Sequence, residues 1–156
     1  MKQTIIVTGG AIIRDRRGRV LLQRDRDNSC WGLPGGGMKP GEAIEDTMLR
    51  EVRDGAGLTV IKHSLYSIYS GARMQYRDQE GNEWSFVMFL FEVEANLEGK
   101  LELDGRTLLQ EKVGEEEPQQ LVFTDLMEID LVDITTVQRP ILDDLIQKRR
   151  TDLLRT

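Results

Sequence analysis

Residues 31–58 constrain this chain more than any other stretch. They begin Trp31-Gly32-Leu33-Pro34-Gly35-Gly36-Gly37-Met38-Lys39-Pro40-Gly41-Glu42 and then run without a proline to Gly57-Leu58. Three consecutive glycines lie between the pairs Pro34-Gly35 and Pro40-Gly41. Such a segment turns sharply and lets a ligand come close to the backbone, which makes Gly35, Gly36 and Gly37 candidate substrate-binding positions. After Gly41 the next glycine is Gly55, so the spacing predicts a helix of roughly three to four turns. Gly57 is placed to end it in a left-handed conformation.

Helical geometry then sorts the side chains. Ile44, Met48, Val52 and Ala56 recur every four residues and form one apolar stripe. Glu51 and Asp54 are three apart and so are neighbours beside that stripe, with Arg50 further round on the same side. Glu45, Asp46 and Arg53 are expected to face water. Two carboxylates held near a glycine-rich loop suit a hard divalent cation, which takes oxygen ligands and leaves room for waters and phosphates. Glu42, Glu51 and Asp54 would repel one another without a cation. A phosphate loop of the Gly-x-x-x-x-Gly-Lys-Ser/Thr kind is excluded, because Glu42-Ala43 follows Gly41.

As a pattern the stretch is Gly36, five residues, Glu42, seven residues, Arg50-Glu51-Val52, one residue, Asp54-Gly55, one residue, Gly57-Leu58. It resembles the signature of the Nudix hydrolase superfamily, of MutT-like type, over residues 36–58. Two fixed positions depart from that signature: Asp54 stands for a Glu, and Gly55 stands where a second Glu is usual. The resemblance implies a Nudix-type α/β/α sandwich. It also implies a metal-dependent pyrophosphohydrolase that cleaves a nucleoside diphosphate linked to another group by water attack on phosphorus. Mg²⁺ or Mn²⁺ would be the cofactor, with Glu51, Asp54 and the backbone carbonyl near Gly35 as metal ligands. Arg50 would orient Glu51, and Glu42 would act as an outer acid or a brace at the helix start. Glu115, Glu116 and Glu117 are candidates for a further acid. The missing carboxylate at Gly55 opens an alternative: a nucleotide-binding sensor without turnover. A hydrolase of RNA 5′ ends is a third reading, lowered by the acidic charge.

The chain has 156 residues, enough for a single domain over 1–156 with a real core. A net charge of −6 and a pI near 4.9 argue against general binding to nucleic acid or anionic membrane. A phosphorylated substrate stays possible because a metal masks repulsion locally. Cys30 is the only cysteine, so an intrachain disulfide is excluded; it reads as a small, partly buried side chain. His63, the only histidine, excludes a histidine-rich metal site and is expected to be structural or exposed. No apolar run is long enough for a bilayer, and Met1-Lys2-Gln3-Thr4 does not read as a secretory leader, so a cytoplasmic setting is expected. The expected partner is a small nucleotide, with the chain a monomer or homodimer.

Along the chain, residues 4–13 and 20–24 read as strands joined by the turn Asp15-Arg16-Arg17-Gly18, hence a hairpin. Residues 58–69 read as a long strand. Residues 84–93 form the most apolar run, expected to be buried on both faces. A short strand is expected at 120–123, a helical turn at 125–128, and a second helix from 136 to about 150 with Ile141, Leu142, Leu145 and Ile146 inward. Tyr66, Tyr69, Arg73, Tyr76, Arg77 and Trp84 either line a pocket or fill the core. Arg24 could reach a phosphate. The order of elements predicts an α/β fold with a mixed sheet between helices.

Overall fold

Two long strands side by side organise the molecule. In this computed structural model, which describes residues 2–27, 29–110, 119–149 and 152–156, β1 (Gln3–Ile13) is followed by β2 (Val20–Arg24), β3 (Trp31–Gly32) and β4 (Gly35–Gly37). Then come α1 (Ile44–Ala56), β5 (Thr59–Tyr69), β6 (Gln75–Arg77), β7 (Glu83–Asn96), β8 (Leu121–Thr124), α2 (Arg139–Ile146) and β9 (Leu154–Arg155). One mixed sheet has the order β4-β1-β7-β5-β9, with β6 paired to β7; a smaller sheet has the order β3-β2-β8. The α/β class and mixed sheet expected from the sequence are what the chain forms.

The hairpin expected over residues 4–24 does not form as a hairpin. β1 runs parallel to β7 from Gln3↔Glu83 to Ile13↔Val93, and β2 leaves for the smaller sheet after a single bridge, Arg14↔Val20. The reason lies in packing. Val20, Leu21 and Leu22 are all buried, and such a run of apolar side chains needs cover on both faces. Leu21 packs towards α1, whereas Val20 and Leu22 pack towards α2.

The same division runs through β7. Phe91 and Val93 join Met48 and Val52 of α1 in one core; Met88 and Leu90 join Ile141, Leu142 and Leu145 of α2 in the other. Both faces of the strand are therefore covered, as the near-continuous apolar sequence requires. Each fully buried Leu, Val or Met contributes roughly 1.5–3 kcal/mol.

Helix α1 ends where the sequence places its stop. Gly57 has φ 68° and its N–H donates to the Arg53 carbonyl. Helix α2 is shorter than expected: residues 136–138 form a 3-10 turn, and the α-helix starts at Arg139 with Pro140 in its first positions. A proline there costs no hydrogen bond, because the first N–H groups of a helix have no partner inside it. Ile146 is half-buried, and Asp144, not expected inside, is 1% exposed. No helix among the described residues is long and apolar enough to cross a membrane.

Candidate functional site

The turn from β4 into α1 brings Glu42, Arg50, Glu51 and the loop glycines together. Arg50 lies at the centre. Its Nε and Nη2 donate to Glu42 Oε2 and Oε1 at 2.8 and 3.0 Å. Its Nη1 donates to Glu51 Oε1 at 2.7 Å, and Nη2 also reaches the Gly37 carbonyl at 2.9 Å. One guanidinium thus holds two carboxylates and the loop backbone. It also offsets much of the repulsion between Glu42 and Glu51.

Glu42 is fully engaged. Besides Arg50, its Oε1 accepts from Thr47 Oγ1 at 2.7 Å and from the Lys39 N–H at 3.1 Å. Chiefly the Arg50 bond, then those from Thr47 and Lys39, hold its carboxyl far below the usual carboxylate range. Arg50 is raised in turn, first by Glu42. Glu42 is an anion that ties the loop to the helix.

Glu51 lies against the loop. A β-carbon at Gly36 would stand 2.5 Å from Glu51 Oε1 and 2.9 Å from Oε2. Only a residue without a side chain lets the carboxylate approach this backbone so closely. Glu51 Oε1 is tied to Arg50, while Oε2 has no hydrogen-bond partner among the described residues. Gly36→Ala is therefore expected to push Glu51 aside while leaving the fold intact, because the clash is with the tip of a side chain. Turnover should fall about 10- to 100-fold, with the Tm unchanged to within ~2 °C, as measured by steady-state kinetics beside a thermal melt. Gly35 differs: its φ is 157° and its β-carbon would meet the Gly9 carbonyl of β1, which is backbone.

Asp54 is not brought into this cluster by hydrogen bonding. Its carboxylate pairs with Arg53 at 2.9 Å, and its side chain is 60% exposed against 26% for Glu51. That Arg53 bond lowers its pKa. Gly55 is an ordinary helical residue: among the described residues, only Gln23 Oε1, at 4.0 Å, comes near the position of a β-carbon.

No group of three or more acid, histidine or cysteine side chains able to hold a metal exists among the described residues. Glu115, Glu116 and Glu117 lie outside them. The donors present fit a cation held by few protein ligands. Glu51 has Oε2 to offer, and an exposed pair such as Asp54–Arg53 is worth little and exchanges easily. Mg²⁺ needs no more than one or two carboxylates when waters and substrate phosphates complete its shell.

A cleft of about 590 Å³ adjoins the loop, lined by Gln23, Gly32, Leu33, Gly35, Thr135 and Gln138 among others. Gln138 Oε1 accepts from the Leu33 N–H at 2.7 Å, and its amide lies flat where a side chain at Gly32 would stand. Gln23 and Gln138 did not stand out in the sequence. Gln138 leaves no local signal, being 105 residues from its partner. Gln23 does leave one: it is polar on the same strand face as buried Leu21.

The other candidates fall elsewhere. Tyr69 is core, its hydroxyl donating to Asp144 at 2.9 Å. Trp84 Nε1 donates to Asp78 at 3.2 Å, Arg77 pairs with Glu83, and Arg73 donates to the Thr156 carbonyl at 2.9 Å. Tyr66 packs against the α2-side core, and Tyr76 is exposed. Arg24 donates to Gln120 at 3.0 Å and sits over the Trp31 ring. His63 meets Glu45 at 2.9 Å, edge-on to Phe91. Cys30 is half-buried.

The chain is an α/β sandwich that presses a helical carboxylate against a glycine-rich loop. The chain belongs to the Nudix hydrolase family: the model of the NUDIX domain matches residues 5–145. The ADP-ribose pyrophosphatase of Methanocaldococcus jannaschii is 32% identical over 88 residues, covering 54% of this chain and 49% of that protein. The 8-oxo-dGDP phosphatase NUDT18 of Homo sapiens is 31% identical over 83 residues, covering 51% of this chain and 23% of that protein. The chain thus spans about half the length, or less, of these relatives. Among solved structures, the MutT protein from Methanosarcina mazei Go1 superposes with a TM-score of 0.62 at 17% identity, covering 97% of this chain and 99% of that one. The MutT NUDIX hydrolase from Burkholderia pseudomallei gives 0.58 at 23% identity, covering 90% and 97%. At these identities the likeness is one of fold.

Proposed function

We propose that the chain, read as one domain over 1–156, is a pyrophosphohydrolase acting on a nucleoside diphosphate linked to another group. The observation that carries this reading is the Glu51 carboxylate, aligned by Arg50 at 2.7 Å and set against Gly36 with one oxygen uncommitted. Glu51 and, once turned from Arg53, Asp54 would hold Mg²⁺ or Mn²⁺, with the backbone around Gly35 adding a carbonyl. The metal would polarise the bridging phosphate and lower the pKa of the attacking water. Arg50 keeps Glu51 in one rotamer, so the carboxylate needs no reordering on binding. Glu42 fixes Arg50 and stays ionised at any working pH, its pKa being far below the usual range. The loop glycines leave the backbone open to phosphate oxygens. The names of two relatives, an ADP-ribose pyrophosphatase and an 8-oxo-dGDP phosphatase, support a substrate of this class.

The test is release of phosphate or pyrophosphate from nucleoside triphosphates, ADP-ribose, nucleotide sugars and dinucleoside polyphosphates, each with Mg²⁺ and with Mn²⁺. Turnover dependent on metal supports the reading. Binding without turnover at any metal concentration supports the alternative, a nucleotide sensor, which the open space at Gly55 and the outward Asp54 favour.

Gly55→Glu fits that open space. It is expected to raise Mg²⁺ affinity or turnover, and to stabilise α1 by roughly 0.5 kcal/mol, since glycine is a poor helix former. Calorimetric Mg²⁺ titration and kinetics check it. No change in either, in an active enzyme, means another residue already fills the place.

A further inference from the structure

We infer that Gln23 is a substrate-binding residue whose side-chain amide donates to a phosphate oxygen in the cleft that reaches Gly35. The inference rests on the pyrophosphohydrolase reading for the identity of the ligand, and on four observations for the site.

The first concerns hydrogen bonding. The Gln23 side chain is half-buried and makes no hydrogen bond with any described residue, whereas the amides of Gln119, Gln120 and Gln138 each have a partner. Its two N–H donors therefore stay available to a ligand.

The second is position. Glu51 and Gly55 are four apart in α1 and so share a face, one turn from each other. Gln23 Oε1 stands 4.0 Å from where a β-carbon at Gly55 would be. Gln23 thus stands beside the helix face that carries Glu51, about one helical turn further along.

The third is access. Gln23 lines the cleft of about 590 Å³ that reaches Gly35, so a ligand lying along the loop meets it. Oε1 is the amide atom nearer the helix, which leaves the two N–H donors of Nε2 for the cleft.

The fourth is charge. A carboxylate at position 55 would face Gln23 and need a cation before a phosphate could enter. With glycine there, position 55 adds no anion beside Gln23. The N–H donors on the cleft side of the amide can then meet a phosphate oxygen as an ionic hydrogen bond.

The test uses α,β-methylene-ADP, which resists hydrolysis, titrated calorimetrically into the wild type, Gln23→Leu and Gln23→Glu, in Mg²⁺ and in EDTA. Adenosine serves as the control without phosphate. Gln23→Leu should weaken the methylene analogue about 10-fold in both conditions, with adenosine binding and Mg²⁺ affinity unchanged. Gln23→Glu should weaken it further in EDTA and recover in Mg²⁺; its near-constant volume keeps the test decisive if the leucine variant does not fold. Unchanged affinity in both variants overturns the assignment. So does an equal loss for adenosine, and so does the absence of any wild-type binding of the analogue. Loss of binding in Gln23→Leu with no hydrolysis by the wild type leaves this assignment standing and removes the enzymatic reading. Hydrolysis with unaltered KM and binding in the variant does the reverse.

Discussion

Glu51→Gln is expected to leave a folded protein that hydrolyses its substrate at least about 100-fold more slowly. The substitution changes little but charge. Glutamine keeps the volume beside Gly36, and its amide oxygen still accepts from Arg50 Nη1, as Oε1 does at 2.7 Å. What disappears is the second anionic oxygen, the one atom of the Arg50 network with no partner among the described residues. Every other acidic oxygen of that network is engaged: both oxygens of Glu42 are bound by Arg50. Kinetics on whichever substrate the wild type turns over, with a thermal melt alongside, check it. A wild-type rate in the variant removes Glu51 from the mechanism. A large fall in Tm would assign it a structural part.

The largest effect on stability is expected at Asp144, far from the loop. It is 1% exposed and gathers Tyr69 Oη at 2.9 Å, Arg149 Nη1 at 3.1 Å and Arg155 Nη2 at 3.0 Å. Asp144→Ala leaves the buried Tyr69 hydroxyl without its acceptor and releases β9 from α2. The cost should be about 2–4 kcal/mol, or a fall in Tm of roughly 5–10 °C. The pH dependence has a definite sign. Burial pushes the Asp144 carboxyl up, but hydrogen bonds from Tyr69, Arg149 and Arg155 outweigh it, and its pKa lies below the ordinary aspartate value. A carboxyl depressed in the folded state stabilises above its unfolded pKa and loses that contribution as pH falls through the folded value. The gap between wild type and Asp144→Ala should therefore be full at pH 7 and shrink on acidification below about 4. Urea unfolding at pH 7 and pH 3 measures it; a gap that widens in acid contradicts the assignment.

How legible these features were in the sequence depended on how local their causes are. The loop and α1 could be read because glycine spacing, the four-residue apolar stripe and the Gly57 stop are all encoded within residues 31–58. β7 could be read because a run of apolar residues buried on both faces carries its own signal. The parallel pairing of β1 with β7 could not, since a distant partner leaves no mark on either strand's periodicity. A turn signal between β1 and β2 suggested a hairpin, and only the need to cover Val20 and Leu22 sends β2 to a second sheet. Asp144 looked like one more solvated acid, because Tyr69 and Arg155, which accommodate it, stand 75 and 11 residues away. Asp54 reads as a neighbour of Glu51 from helical spacing and as a metal ligand from the signature; the pairing of its carboxylate with the adjacent Arg53 leaves no mark in that spacing.

The pairing of β1 with β7 also governs the order in which the chain can assemble. Partners along this ladder are eighty residues apart, as in the Gln3–Glu83 side-chain bond. Closing a loop of that size carries an entropic cost that rises with the logarithm of its length, and folds dominated by such distant contacts form slowly. On the ribosome, β1 emerges before β7, with the apolar run Ala11, Ile12 and Ile13, and must stay unpaired on that edge until residue 93 has been made. The helix carrying Glu51 can form long before the strand that will support it. Newly made chains therefore pass through a stage in which the acidic helix exists while the central edge of the sheet is still open to wrong partners.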